Sequence, residues 1–205
     1  MCYSVHLVPS TIDAMTDAAG HRTVFTIGHS TRTIEQFVAL LTEHGVELLV
    51  DVRRFPGSRR HPQFGSAALE ASLREAGIAY LHAEPLGGRR SSEKSAASPN
   101  TAWRNDAFRA YADYMGTPAF RRALDRLIAL SAERATVIMC AEAVPWRCHR
   151  RLITDALLAR DIPVADIVGP GAASPARLSE HAVVTSGDTV IYPAPGGTQE
   201  DLFAG

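Results

Sequence analysis

The stretch Ala135-Thr-Val-Ile-Met-Cys140-Ala-Glu142-Ala-Val-Pro-Trp-Arg-Cys148-His149-Arg150 decides the fold. Its first five residues are apolar or β-branched and show no polar alternation, as a strand covered on both faces requires. After Arg150, the residues Leu152, Ile153, Ala156, Leu157 and Leu158 recur at helical spacing. A strand running through a short loop into a helix is the building unit of a parallel sheet. Such a loop presents free backbone N–H groups and the positive end of a helix dipole, which favour anions and lower a thiol pKa. Here it also carries two thiols, an imidazole, a carboxylate and several arginines.

Working outward, residues 22–27 read as a first strand that ends at Gly28-His29-Ser30. Thr33-Ile-Glu-Gln36 is a capping box ahead of Ile34, Phe37, Val38 and Leu41 on one helical face. Residues 46–51 form a second strand, from which Asp51-Val-Arg53-Arg54 emerges into the turn-rich segment 55–62, with Ser58. Ser66 is expected to cap a second helix, and a short strand at 78–81 leads to Leu86-Gly87-Gly88. Helices are expected near 105–115 and 118–131, the latter opened by Thr117-Pro118. A strand at 164–168 and a hairpin or edge extension around Ser186-Gly-Asp188 complete the pattern.

These elements predict a single-domain α/β fold, a three-layer sandwich with a mainly parallel sheet, over residues 21–192. Residues 1–20 read as a weakly ordered lead and 193–205 as a disordered tail. Ligands of such sheets bind beyond the carboxyl ends of the strands. Gly28 to Ser30, Asp51 to His61, Gly87-Gly88 and Cys140 to Arg150 all belong there, so one shared pocket is expected.

The net charge of −1 conceals clustering, because ten of the 21 basic residues fall in or beside three of these loops. The longest apolar runs are far short of the roughly 20 residues that span a bilayer. Three cysteines cannot all pair within one chain, and their spacing is not that of a disulfide framework. A cytoplasmic protein without a membrane partner is expected.

The set Gly28-His29-Ser30, Asp51-Val52-Arg53 with Pro56 and Ser58, Leu86-Gly87-Gly88, and Cys140-x-Glu142 followed by Cys148-His149-Arg150 resembles the family called domain of unknown function 488. The likeness covers roughly residues 23–168 and implies a fold and a site, but no reaction. A looser likeness is to the rhodanese domain. Asp51-Val-Arg53 is similar to its early strand end, and residues 137–140 to the strand that carries its nucleophilic cysteine. The loop differs, with no glycine between Ala141 and Arg147 and with Pro145-Trp146 at its centre.

Three chemical readings follow. A thiolate at Cys140 or Cys148 served by His29 or His149 is the first, against a purely structural role for a buried thiol. A zinc or iron site built on Cys140, Cys148 and His149, with His29, His61 or His82, is the second. Its spacing is not that of a short chelate, and adjacent Cys148 and His149 are expected to point apart; no cofactor is therefore predicted. Phosphate handling is the third and is preferred. Arg53 and Arg150 would hold the anion with Ser30, Ser58, Gly87 and Gly88, while Asp51 and Glu142 orient the arginines or exchange protons.

The tail Gln199-Glu-Asp-Leu202-Phe203 resembles the peptide by which bacterial proteins bind the replicative sliding clamp. Leu202 and Phe203 would fill an apolar groove while Gln199 makes polar contacts. The resulting expectation is a protein that binds or processes a phosphate-bearing substrate, DNA or RNA foremost, linked to repair or replication through the clamp. The alternatives are a sulfurtransferase-type thiol enzyme and a non-enzymatic DNA-binding or adaptor module.

Overall fold

The computed structural model describes residues 20–57, 60–90 and 98–195. Five strands run parallel: β1 (Val24–Gly28), β2 (Leu48–Asp51), β3 (Ala79–His82), β4 (Thr136–Cys140) and β5 (Val164–Ile167). The two-residue strand β6 (Ser174–Pro175) lies antiparallel to β5, giving the order β3-β2-β4-β1-β5-β6. Because β4 enters between β1 and β2, it stands at the centre with Gly28 paired to Cys140 and Asp51 to Met139. Both neighbours therefore end level with the cysteine.

Side chains alternate along each strand, so two cores form, one on either face of the sheet. On one face, Ile27, Leu49, Val137 and Met139 meet α1 (Ile34–Glu43) and α2 (Ser66–Glu75) through Phe37, Leu41, Leu69 and Leu73. On the other, Val50, Ile138 and Cys140 meet α3 (Asp106–Met115), α4 (Pro118–Glu133) and α5 (Arg150–Leu158). The expected three-layer α/β sandwich is what forms, and β1, β2 and β4 are buried along their whole length.

Local chemistry sets most helix starts. Thr33 accepts from the Gln36 backbone, and the Gln36 side chain accepts from the Thr33 N–H, completing the capping box of α1. Thr117 caps α4 ahead of Pro118. The expected cap at Ser66 does not occur: Gly65 holds the cap position, and Ser66 is already the first helical residue.

The chain beyond β5 folds back as a hairpin of β7 (Val183–Thr185) and β8 (Thr189–Ile191). Asp155 of α5 fixes it, accepting from Ser179 N at 2.9 Å, Ser179 Oγ at 2.6 Å and Tyr192 Oη at 2.9 Å. Burial raises the Asp155 carboxyl despite these donors. No helix among the described residues is long and apolar enough to cross a membrane. The lead up to residue 19, Ser58, and the tail residues Gln199, Leu202 and Phe203 lie outside the described residues.

Candidate functional site at the carboxyl edge of the sheet

Cys140 ends β4 and faces the α3–α5 layer, whereas Cys148 and His149 come from the turn entering α5. His149 Nδ1 lies 3.6 Å from Cys148 Sγ and 3.9 Å from Cys140 Sγ, and the three atoms lie within 4.8 Å of one another. The expectation that Cys148 and His149 point apart is therefore corrected. A turn over Pro145–Arg147 leaves Cys148 in extended backbone and His149 near-helical, so successive side chains converge. His149 Nε2 is 2.9 Å from the Val52 carbonyl, which can only accept. Nε2 therefore carries a proton, and in the neutral ring the Nδ1 lone pair faces the sulfurs.

The two thiols are 7% and 3% exposed, too little for both to ionise freely. A hydrogen bond from Cys140 to Cys148 holds the Cys140 thiol well above its usual range, with burial adding to the effect. The same bond pulls Cys148 well below that range against its own burial, and the charge of Arg150 draws it further down. Of the two sulfurs, Cys148 is the more readily ionised.

A second cluster occupies the opposite face of the same strand ends. Asp51 is fully buried and accepts from Arg53 Nη2 at 2.5 Å, Arg53 Nε at 2.8 Å and Tyr80 Oη at 2.9 Å. Arg53 Nη1 donates to the Phe64 carbonyl at 2.8 Å. His29 stacks on the Phe64 ring at 4.3 Å and donates through Nδ1 to the Ser30 carbonyl at 2.9 Å. Burial, aided by the nearby charges of Arg53 and His61, lowers His29 to about 4. His29 is a neutral imidazole at physiological pH.

Three glycines are explained by close approach. A Cβ at Gly28 would stand 1.7 Å from the Glu142 carbonyl oxygen, where the loop after β4 crosses the end of β1. A Cβ at Gly88 would stand 2.8 Å from His149 Nδ1, and Gly87 packs comparably on Arg54. Gly88 thus serves the imidazole by its lack of a side chain, and Gly87 serves the approach of the Arg54 backbone.

The expected single pocket is divided in two. Cys140, Cys148, His149 and Gly88 come together on one face, and Asp51, Arg53 and His29 on the other. Arg150, 1% exposed, donates from Nη1 to Thr26 Oγ1 at 3.1 Å and from Nη2 to the Glu142 carbonyl at 2.7 Å, but its Nε has no partner among the described residues. The Glu142 side chain is exposed, and Ser30 takes a left-handed backbone conformation, with φ of 51°, while its N–H bonds Ala141. His61 lies near His29, and His82 donates to the Arg53 carbonyl. Neither joins the sulfurs. Sequence reading missed Val52, whose role is carried by a backbone oxygen and leaves no side-chain signature. It also missed Tyr80 and Tyr111, the latter ring lying edge-on to His149 at 5.1 Å.

The model of the family described as domain of unknown function DUF488 matches residues 33–157. The chain belongs to that family. The match takes in both members of the buried ion pair, Gly87 and Gly88, and the whole loop from Cys140 to Arg150, and it starts after His29. No curated protein and no solved structure matches the chain. The rhodanese likeness rests on strand-end residues alone. In the loop itself the Arg147 and Cys148 amides are bonded to Val144 and Pro145.

Proposed function

We propose that the protein is an enzyme acting on a phosphate-bearing substrate of the nucleic-acid class, with the Cys140–Cys148–His149 cluster as its reacting centre. The observation that carries this reading is a pair of exposed aromatic rings beside that centre. Phe55 is 64% and Trp146 66% exposed. Phe55 lies three residues beyond Val52, the residue that holds the imidazole, and Trp146 two residues before Cys148. β2 and β4 are neighbours, so the two rings rise from adjacent strand ends. Large rings left in water on loops that hold a reactive centre suit stacking on bases, which is tolerant of sequence.

Charge supports the same reading. Arg60, Arg89 and Arg147 are exposed on the loops around this edge. Arg53 and Arg150 are both bound within the fold, so the exposed arginines are the candidate phosphate contacts. At the centre, the more readily ionised sulfur of Cys148 and the imidazole of His149 would supply nucleophile and base.

The test is oligonucleotide binding across a salt series, with product analysis on the same strands. Expected is affinity that falls linearly with salt on logarithmic axes, by about 0.7–0.9 per phosphate contacted. Absent or salt-indifferent binding overturns the reading. Binding without turnover in wild type would leave a non-enzymatic DNA-binding module. A second reading, sulfur transfer, draws on the more readily ionised Cys148; it requires a one-sulfur mass gain after thiosulfate treatment that Cys148→Ala abolishes. The tail is proposed as a tether to the sliding clamp through Gln199, Leu202 and Phe203, raising the local concentration of the domain at DNA. Unchanged clamp affinity after deletion of residues 199–203 ends that proposal.

A further inference from the structure

We propose that Cys140, Cys148 and His149 are three ligands of one divalent transition-metal ion, zinc by preference, with a fourth position left for water or substrate. The inference rests on the preceding reading only for the location of the reacting centre.

Geometry is the first support. A tetrahedral ion with sulfur at about 2.3 Å and imidazole nitrogen at about 2.0 Å places sulfur and nitrogen about 3.5 Å apart. The two observed separations are 3.6 Å and 3.9 Å. Small movements of the side chains reach the ligating arrangement. A hydrogen-bonded cluster explains less, because the single Nδ1 lone pair can accept from only one of the two sulfurs. A disulfide between the cysteines would leave that lone pair without a role.

The surroundings are those of a metal-ligating histidine. Such a residue turns one nitrogen to the ion and donates the other N–H to a carbonyl or carboxylate, which fixes its tautomer. His149 donates Nε2–H to Val52 at 2.9 Å and has the edge of the Tyr111 ring against it. At Gly88 the missing side chain keeps the Nδ1 edge clear, since a Cβ would stand 2.8 Å from that atom. The loop that the sequence suggests as a phosphate cradle thus borders the ligating nitrogen.

The donor set selects the class of ion. Two thiolates and an imidazole suit zinc or ferrous iron and are poor ligands for magnesium or calcium. Two thiolates also neutralise a divalent charge, so the buried ensemble carries no net charge. Among the described residues no further His, Cys, Asp or Glu joins the three. Three protein ligands and one open position characterise catalytic rather than structural zinc. An ion there would act as a Lewis acid toward a bound water or substrate oxygen.

The experiment uses the full chain, purified without chelator and reconstituted in the reduced state with zinc or cobalt(II). Expected are one ion per chain, a tetrahedral visible spectrum with thiolate-to-cobalt charge transfer, and X-ray absorption showing two sulfurs at about 2.3 Å. Cys148→Ala and His149→Ala should each lower affinity at least tenfold with the circular dichroism of the fold retained. Should either variant fail to fold, alkylation of the wild type decides: zinc should protect Cys140 and Cys148, and chelation should expose them. Fewer than about one ion per two chains, an octahedral cobalt spectrum, or thiols equally reactive with and without zinc would overturn the proposal. Salt-dependent oligonucleotide binding without metal uptake would remove this inference alone. Stoichiometric metal without oligonucleotide binding would remove the substrate reading alone.

Discussion

Arg53 Nη1 lies 3.5 Å from His29 Nε2, and the ring beside that cation stays neutral, its pKa lowered by burial to about 4. The unfolded chain takes up this proton near the ordinary value of 6.5. Between the two values the unfolded state binds more protons, so stability must fall as pH drops through that window. His29→Gln removes this contribution while keeping a polar side chain. The urea midpoint of wild type should decline more steeply than that of the variant from pH 6.5 toward 4, and the two should run parallel above about pH 7. Equal slopes throughout would show that His29 does not titrate as its burial demands.

Asp51 and Arg53 form a buried, bidentate pair, and removing one partner leaves the other charge without its counterion. Asp51→Ala should therefore cost about 3–5 kcal/mol of unfolding free energy. Glu84→Ala breaks an exposed pair with Arg54 and should cost less than about 1 kcal/mol. Chemical denaturation of both variants provides the comparison, and equal costs would contradict the assigned burial.

Gly88→Ala places a methyl group against His149 Nδ1, whereas a Cβ at Gly57 meets nothing within 4 Å. The first substitution should destabilise by about 1–3 kcal/mol and displace the imidazole, and the second should be nearly neutral. Gly28→Ala should be the most damaging of the three, because its obstacle is backbone rather than a movable ring. Thermal unfolding and NMR of the His149 ring separate these effects.

Phe55→Ala and Trp146→Ala remove exposed rings, so their unfolding temperatures should match wild type. If the rings stack on bases, each substitution should weaken single-strand affinity by about 1–3 kcal/mol. Fluorescence anisotropy measures this directly. Unchanged affinity in the double variant would exclude these rings as a docking surface.

Much of the fold was legible because its signals are local. The apolar run into Cys140 reports a covered strand, and Thr33 with Gln36 reports a helix start. What escaped depends on arrangement across the sheet. No local pattern reveals that β4 inserts between β1 and β2, or that Gly65 displaces Ser66 as a cap. The candidate residues were legible as strand-end chemistry, but their division was not. Asp51 and Val52 are adjacent in sequence, and strand alternation sends the first side chain to one layer while the next residue's carbonyl meets His149 of the other.

That alternation gives the end of β2 a role as a two-sided fastener. The carboxylate of Asp51 holds Arg53 and Tyr80 on one face of the sheet, and one residue later a backbone oxygen anchors an imidazole on the other. Inserting or deleting a single residue here would exchange the two sides and disarm both clusters at once. Chain length between Leu49 and Arg53 is consequently fixed far more tightly than side-chain identity alone would suggest.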